Sequence, residues 1–176
     1  VSDLKLAVSK KIRDFTLGGG FLFAMCSATD SYDIALAADN VDICEYMYDG
    51  DGKDPNAQKK LDFSKTFAFK DFILEQNPYM YEYSNIDVQP NKRRVSEEND
   101  VFVLNEFSAK WDVVPSLLTQ NHTKVVKGFM GQTTAFKKHL VKSSVTIMGE
   151  NKSLNEARYI HGTLGKGQWT FYGGHD

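Results

Sequence analysis

The segment 18–25 constrains the fold of this chain more than any other. Three glycines, Gly18 to Gly20, end an amphipathic pattern over residues 3–15 that predicts a helix. The next five residues, Phe21 to Met25, are all apolar, which is typical of a strand buried on both faces of a sheet. A second helical pattern begins at Thr29. Helix, strand and helix in this order predict an α/β layered fold.

The composition is that of a globular domain and excludes several classes of partner. The chain has 176 residues, of which 41% are hydrophobic and 25% charged, enough for one domain with a substantial core. The net charge of -2 gives no electrostatic reason to expect nucleic acid. No apolar run reaches the roughly 18 residues that a membrane span requires. We therefore expect no nucleic acid among the partners and no membrane span. A homo-oligomer and a complex with a partner subunit are alternatives, and the composition favours no particular compartment.

The middle of the chain, residues 45–100, differs from the segments on either side. It opens with an acidic turn, Asp49 to Asp54, and then alternates aromatic with polar residues, which predicts short strands or hairpins inserted into an α/β core. The aromatic residues are Phe63, Phe67, Phe69, Phe72, Tyr79, Tyr81 and Tyr83. Further strands are predicted at residues 101–107, 113–119, 145–148 and 168–172. We predict one domain over residues 1–176, incomplete at both ends, with an insertion over 45–100.

Cys26 lies between the predicted strand and the second helix. A strand that turns tightly into a helix carries the turn residue to the carboxyl edge of the sheet, where open α/β folds bind ligands. Ala24 and Ala28 stand two positions before and after Cys26, and a nucleophile elbow requires small residues there. Backbone dipoles at a helix N-terminus favour the thiolate form of a cysteine. These features indicate a nucleophilic thiol, and a small buried core residue is the alternative.

Three motifs resemble those of one protein family. The segment GGGFLFAMCSATDSY, residues 18–32, resembles the glycine-rich strand and elbow of the trehalose-utilisation ThuA-like proteins. Asn105-Glu106-Phe107 is similar to the Asp-Glu segment of that family, and GKGQWTFYGGHD, residues 165–176, to its closing motif. The resemblance implies a class I glutamine amidotransferase-like domain. Its fold would be flavodoxin-like, a three-layer sandwich around a mostly parallel sheet, here with an aromatic-rich insertion.

The resemblance also implies roles for individual residues. ThuA-like proteins usually carry histidine at the elbow, whereas glutamine amidotransferases carry their nucleophilic cysteine there, so Cys26 resembles the amidotransferase form. His175 stands where those enzymes have their catalytic base, and the carboxylate that orients this base would lie beyond Asp176. Glu106 would orient His175 or bind substrate, with a surface carboxylate as the alternative. The implied partner is a small-molecule substrate, an amide or a carbohydrate. The implied substrate-binding residues are Ser27, Thr29, Asp30, Asn105 and Gly174.

Two functions from different classes follow from these observations. The first is a cysteine-dependent hydrolase or glutamine amidotransferase-like enzyme that acts on an amide or related carbonyl, with Cys26 as nucleophile and His175 as base. The second is a non-catalytic ThuA-like module that binds a carbohydrate or a partner. Tyr79, Tyr81 and Tyr83 could stack on sugar rings, although one packed face of a strand is the favoured interpretation.

Two candidate metal sites are alternatives to these functions. Cys26, Glu106 and His175 form a ligand set that would suit zinc. The acidic turn from Asp49 fails the EF-hand pattern, because its sixth position is Asp54 instead of glycine and its twelfth is Lys60 instead of glutamate. A hydrated turn explains it better. We therefore predict no cofactor and no bound metal.

Overall fold

A computed structural model describes residues 2–80, 83–87, 101–105, 124–126 and 135–173. The first part of the chain forms helix α1 (Ser2–Leu17), strand β1 (Phe21–Met25) and helix α2 (Ala28–Ala37). Two short helices follow, α3 (Tyr46–Asp49) and α4 (Ala57–Lys60), and then a turn of 3-10 helix at Phe63–Lys65. The predicted order of helix, strand and helix at the start of the chain is confirmed.

The remaining described elements are strands, apart from a turn of 3-10 helix at Lys138–Leu140. They are β2 (Phe102–Leu104), β3 (Val125–Val126), β4 (Phe136–Lys137), β5 (Thr146–Asn151), β6 (Glu156–Leu164) and β7 (Gly167–Tyr172). The strands predicted at 101–107, 145–148 and 168–172 correspond to β2, β5 and β7. The segment 113–119 lies outside the described residues. No helix among the described residues combines the length and apolar character needed to cross a membrane.

The seven described strands form one sheet in the order β1-β7-β6-β5-β2-β3, with β4 paired to β6. The pair β1–β7 is parallel, and every other pairing among the described strands is antiparallel. The sheet is mixed, mostly antiparallel, and curled into a half-barrel. The prediction of a flavodoxin-like three-layer sandwich with a mostly parallel sheet is therefore wrong.

Short connections between strands explain the difference. A parallel pair needs a crossover of a dozen or more residues, whereas a tight turn returns the chain antiparallel to itself. Strands β6 and β7 are joined by Gly165 and Lys166, and Gly165 adopts a left-handed φ of 60° that suits such a turn. The prediction that strand β1 is buried on both faces is also wrong. It lies at the end of the sheet, where Phe21, Phe23 and Met25 are 47%, 45% and 37% exposed on one face.

The main core lies between the helices and the opposite face of the sheet, where Ala24, Trp169 and Phe171 point. Aromatic residues from the segment predicted as an insertion complete it. The ring of Phe67 lies 6.0 Å from that of Trp169, and the ring of Phe69 lies 5.1 Å from that of Phe136. Residues 45–100 thus supply side chains to the same core as β1 and β7.

Tyr79 and Tyr83 do not form a packed strand face. Tyr79 is 91% exposed and lies in a turn, and the Tyr83 side chain is also exposed. The interpretation of these two residues as one buried face is therefore wrong, and Tyr81 lies outside the described residues. Alternation alone misled because an alternating aromatic pattern forms a packed face only where a neighbouring strand pairs with it.

A buried carboxylate on α2 fixes the aromatic segment to the helix. Asp33 is fully buried and accepts hydrogen bonds from the backbone N–H groups of Phe67, Ala68 and Phe69, at 2.6, 2.7 and 2.8 Å. Burial raises the pKa of Asp33 to about 6, although the three N–H donors favour the charged form and oppose the shift. The side chain therefore anchors a segment more than thirty residues away in sequence.

Candidate functional site

The parallel pair β1–β7 brings two chain segments out of the sheet at the same edge. Met25 is paired with Tyr172, the last residue of β7. The N–H of Cys26 then donates a hydrogen bond to the carbonyl oxygen of Tyr172 at 3.0 Å. Both strands end at this pair and run in the same direction, so the residues that follow them, Cys26 and Gly173, are also neighbours. The elbow cysteine thus stands beside the start of the Gly-Gly-His segment.

Cys26 has a left-handed backbone conformation, with φ of 57°. Only a few per cent of residues other than glycine adopt positive φ, and the conformation costs roughly 1 to 2 kcal/mol for an L-residue. Such strain persists only where surrounding contacts enforce it, and it concentrates at functional sites. A strained turn from a strand into a helix is the backbone geometry of a nucleophile elbow. The thiol is partly exposed, so a reagent can reach it.

Hydrogen bonds on both sides hold the Cys26 conformation. Its carbonyl oxygen accepts the N–H of Thr29 at 3.0 Å and the Thr29 hydroxyl at 2.7 Å. The Ser31 hydroxyl bonds the carbonyl oxygen of Ser27 in the same turn. With the bond to Tyr172, the peptide groups before and after Cys26 are both fixed. The direction of the Cα–Cβ bond that carries the thiol is thereby set by the backbone.

The start of α2 lies directly after the elbow. Ser27 is the N-cap residue of this ten-residue helix, and its side chain makes no capping hydrogen bond. The first N–H groups of a helix point out of its end and favour negative charge. The N–H of Thr29 already donates to the Cys26 carbonyl, so an oxyanion formed next to the Cys26 sulfur would meet the N–H groups of Ser27 and Ala28 that precede it. Asp30, in the first turn, is buried.

The structure brings four of the predicted site residues together, and they are Cys26, Ser27, Thr29 and Asp30. Thr29 is fully buried and uses its hydroxyl on the backbone of Cys26, so its role is to support the turn. The other predicted residues include Glu106, Gly174 and His175, which lie outside the described residues. Gly173, two residues before His175 in the sequence, is buried at the end of β7.

Asn105 occupies a different part of the sheet. Its N–H donates to the carbonyl oxygen of Met148 and its side-chain amide donates to that of Ile147, both at 2.7 Å. These bonds tie the end of β2 to β5. Strand β2 is four strands away from β1 in the sheet, at about 4.8 Å per step. The amide of Asn105 is therefore used in joining strands.

The direction of β2 explains why Asn105 is not at the elbow. One row of paired residues crosses the sheet through Leu104, Gly149, Tyr159, Tyr172 and Met25. Strand β2 runs opposite to β1, because three antiparallel pairings and one parallel pairing separate them. Asn105, which follows Leu104, therefore lies on one side of this row, and Cys26, which follows Met25, lies on the other. A parallel sheet, as the family resemblance implied, would have placed both at the same edge.

A buried ion pair near this edge had no signal in the sequence analysis. Arg158 and Glu156 are both buried, with 2.8 Å between Nη2 and Oε2. The carbonyl oxygen of Arg158 accepts the N–H of Gly173 at 2.9 Å, which places the pair beside the end of β7. The alternating Glu-Ala-Arg sequence was the only available clue, and such alternation usually indicates an exposed strand face.

The second cysteine lies in a different environment from Cys26. Burial and the negative charges of Asp49 and Asp42 raise the pKa of the Cys44 thiol. Cys26 stands at a helix N-terminus, where backbone dipoles favour negative charge. Cys44 therefore reacts slowly because of its own surroundings, and a free thiol such as glutathione is the suitable reference for the reactivity of Cys26.

Comparison with family models, with characterised proteins and with solved structures found no match for the chain. The family resemblance consequently rests on the three motifs alone.

Proposed function

We propose that the protein is a cysteine-dependent hydrolase that acts on an amide or a related carbonyl compound, with Cys26 as its nucleophile. The observation that carries this proposal is the left-handed φ of 57° at Cys26, in a tight turn between β1 and α2. Left-handed conformations at residues other than glycine concentrate at functional sites, and this one carries a partly exposed thiol at the start of a helix. Such a turn would present the sulfur to a substrate.

The general base in this proposal is His175. It follows Gly173 by two residues in the sequence, and Gly173 continues β7, the parallel neighbour of β1. The imidazole accepts the thiol proton, and the thiolate attacks the carbonyl carbon to form a tetrahedral intermediate. The carbon–nitrogen bond then breaks and the amine leaves with the proton from the imidazolium. Water attacks the resulting thioester, releases the acid and restores the thiol.

Backbone N–H groups at the start of α2 would stabilise the negative oxygen of the tetrahedral intermediate. Fixed donors of this kind act without rearrangement during the reaction, and each contributes about 3 kcal/mol in well-studied hydrolases. The Ser27 side chain makes no capping hydrogen bond, which supports this role for the N–H groups that precede Thr29. The motif resemblance supports the same chemistry and makes glutamine the first amide to test.

A carbohydrate-binding module without catalysis is the second candidate. It is favoured by the exposed rings of Tyr46, Tyr48 and Tyr79. The hydroxyl of Tyr48 donates to the carbonyl oxygen of Pro78 at 3.4 Å, which brings α3 next to the turn that carries Tyr79. Large exposed apolar groups gathered on one surface commonly mark binding sites.

The rate of alkylation of each thiol by iodoacetamide separates the two candidates. Labelling of both cysteines and of free glutathione is followed by mass spectrometry at about pH 6 and about pH 8.5 in buffer with a chelator. For the enzyme we expect Cys26 to react about tenfold faster than glutathione at the lower pH. His175→Ala should remove this advantage.

A Cys26 rate no higher than that of glutathione and unaffected by His175→Ala would overturn the nucleophile and leave the binding module. If Cys26 is activated, release of ammonia from glutamine and simple amides is measured next. Cys26→Ser serves as the control, since it keeps the turn and removes the sulfur.

A further inference from the structure

Donor atoms of three side chains converge in the segment between α2 and α4. Asp42, Cys44 and Asp49 each place one carboxylate oxygen or sulfur so that all three atoms lie within 4.8 Å of one another. The three side chains are partly buried. They lie far in sequence from the elbow, on the chain that follows the end of α2, and none of them takes part in the chemistry proposed for Cys26.

Backbone contacts fix the three donors in place. The Oδ1 atom of Asp42 accepts the N–H of Cys44 at 2.9 Å, and the carbonyl oxygen of Asp42 accepts the N–H of Asp54 at 3.0 Å. The second bond closes the loop that carries all three residues. After Asp49 the chain reverses through Gly50, whose φ of 93° is left-handed. An ion pair between Lys53 and Glu45 spans the same loop.

One oxygen in this cluster lacks a partner. The Oδ1 atom of Asp49 has less than 1 Å² of accessible surface and makes no hydrogen bond within the described part of the chain. A carboxylate oxygen that is closed to solvent and unpaired is costly, and a bound cation removes that cost. The side chain of Asp51 adds a further negative charge to the Asp42 and Asp49 carboxylates. The lysine of the loop, Lys53, is engaged by Glu45, and the positive charge of Lys5 in α1 acts on Cys44.

We propose that Asp42, Cys44 and Asp49 bind a divalent cation of the zinc class. Thiolate ligands select zinc and similar metals, whereas calcium and magnesium take oxygen ligands alone. In a tetrahedral zinc site neighbouring donors are about 3.5 Å apart, so small side-chain rotations bring the present donors into range. Binding releases the Cys44 proton to solvent, and the fourth position takes a water molecule. The inference is independent of the role of Cys26.

Cobalt is a suitable probe, because a thiolate bound to Co²⁺ gives a charge-transfer absorption band in the near ultraviolet. Titration of the whole chain with Co²⁺ should produce this band at one equivalent, and Zn²⁺ should displace it. Cys44→Ser should abolish the band. Asp42→Asn and Asp49→Asn should each weaken Co²⁺ binding about tenfold or more.

Two control variants test whether the effect is specific to this cluster. Asp54→Asn removes a carboxylate of the same loop that is paired with Lys60, and it keeps the oxygen that accepts the N–H of Asn56. Cys26→Ser removes the other thiol. Both should bind Co²⁺ as the unaltered chain does. Absence of the band, its loss in Cys26→Ser, or its persistence in Cys44→Ser would each overturn the proposal.

Discussion

The N–H of Cys26 donates a hydrogen bond to the carbonyl oxygen of Tyr172, so the first and last described strands of the chain are joined at the candidate nucleophile. This bond extends the parallel pairing of β1 and β7 by one residue beyond Met25. It sets the position of the elbow relative to the segment that leads to His175.

We expect Thr29→Val to lower the alkylation rate of Cys26 about tenfold. The Thr29 hydroxyl holds the Cys26 carbonyl at 2.7 Å, and valine fills the same space without a donor. Loss of the bond should reduce the free energy of unfolding by only about 1 kcal/mol. Thr29→Ser keeps the hydroxyl and should restore the rate. Equal rates in the valine and serine variants would show that the bond does not position the thiol.

Replacement of Cys26 by glycine should give a more stable protein than replacement by alanine. Glycine adopts a left-handed φ without steric cost, whereas alanine keeps the strain that φ of 57° imposes on a residue with a Cβ atom. The expected difference in the free energy of unfolding is about 1 kcal/mol. Chemical denaturation of the two variants measures it. A more stable alanine variant would contradict the left-handed assignment.

Asp33→Ala should lower the free energy of unfolding by about 3 kcal/mol or more. Three buried N–H groups, those of Phe67, Ala68 and Phe69, would lose their acceptor. Asp62→Ala is a useful comparison, because that side chain bonds the exposed residue Ser64 and forms a partly exposed ion pair with Lys65 at 3.9 Å. Urea denaturation of both variants provides the measurement. Equal losses would mean that the three hydrogen bonds accepted by Asp33 do not stabilise the fold.

The ionisation of Asp33 should make the protein less stable as the pH rises. Because its folded-state pKa is raised from 3.8 to about 6, its contribution favours the folded state fully below about pH 3.8 and is lost through about pH 6. Between about pH 4.5 and pH 7 the difference in free energy of unfolding between the unaltered chain and Asp33→Asn should fall by about 2 kcal/mol. A difference that stays constant would show that Asp33 does not titrate in this range.

Gly167→Ala should destabilise the protein by about 3 kcal/mol or more. A Cβ atom at Gly167 would overlap the backbone carbonyl oxygens of Thr16 and Gly20, which a side-chain rotation cannot relieve. Gly52→Ala is the matched control, since no atom lies within 4 Å of a Cβ there. Thermal denaturation compares the two. Similar transition temperatures would contradict the close contact between β7 and the turn after α1.

Local pattern predicted the helix, strand and helix around Cys26, and the small residues Ala24 and Ala28 predicted a tight turn there. The left-handed backbone conformation of Cys26 could not be predicted from the sequence, because hydrogen bonds to Thr29 and Tyr172 enforce it. Spacing along the chain carries information about neighbours in sequence. It carries much less about a bond to a residue near the other end of the chain.

Asn105 shows where motif reasoning fails. The order of motifs was consistent with a shared site, but a site also requires strands of the right direction. Strand β2 runs opposite to β1, so Asn105 lies on the far side of the row that passes through Met25. The hydrogen bonds of Asp33 and the cluster of Asp42, Cys44 and Asp49 could not be predicted for a related reason. Each depends on contacts that no local period encodes.

The sequence by itself determined the early helices, several strands, and the position of a cysteine between a strand and a helix, because these features follow from short-range sterics and hydrophobic periodicity. Only the tertiary structure decided strand direction, the antiparallel character of the sheet, and which side chains meet at its edge. Those properties depend on pairings between distant segments, whose free energy comes from burial and backbone hydrogen bonds formed together across the whole sheet.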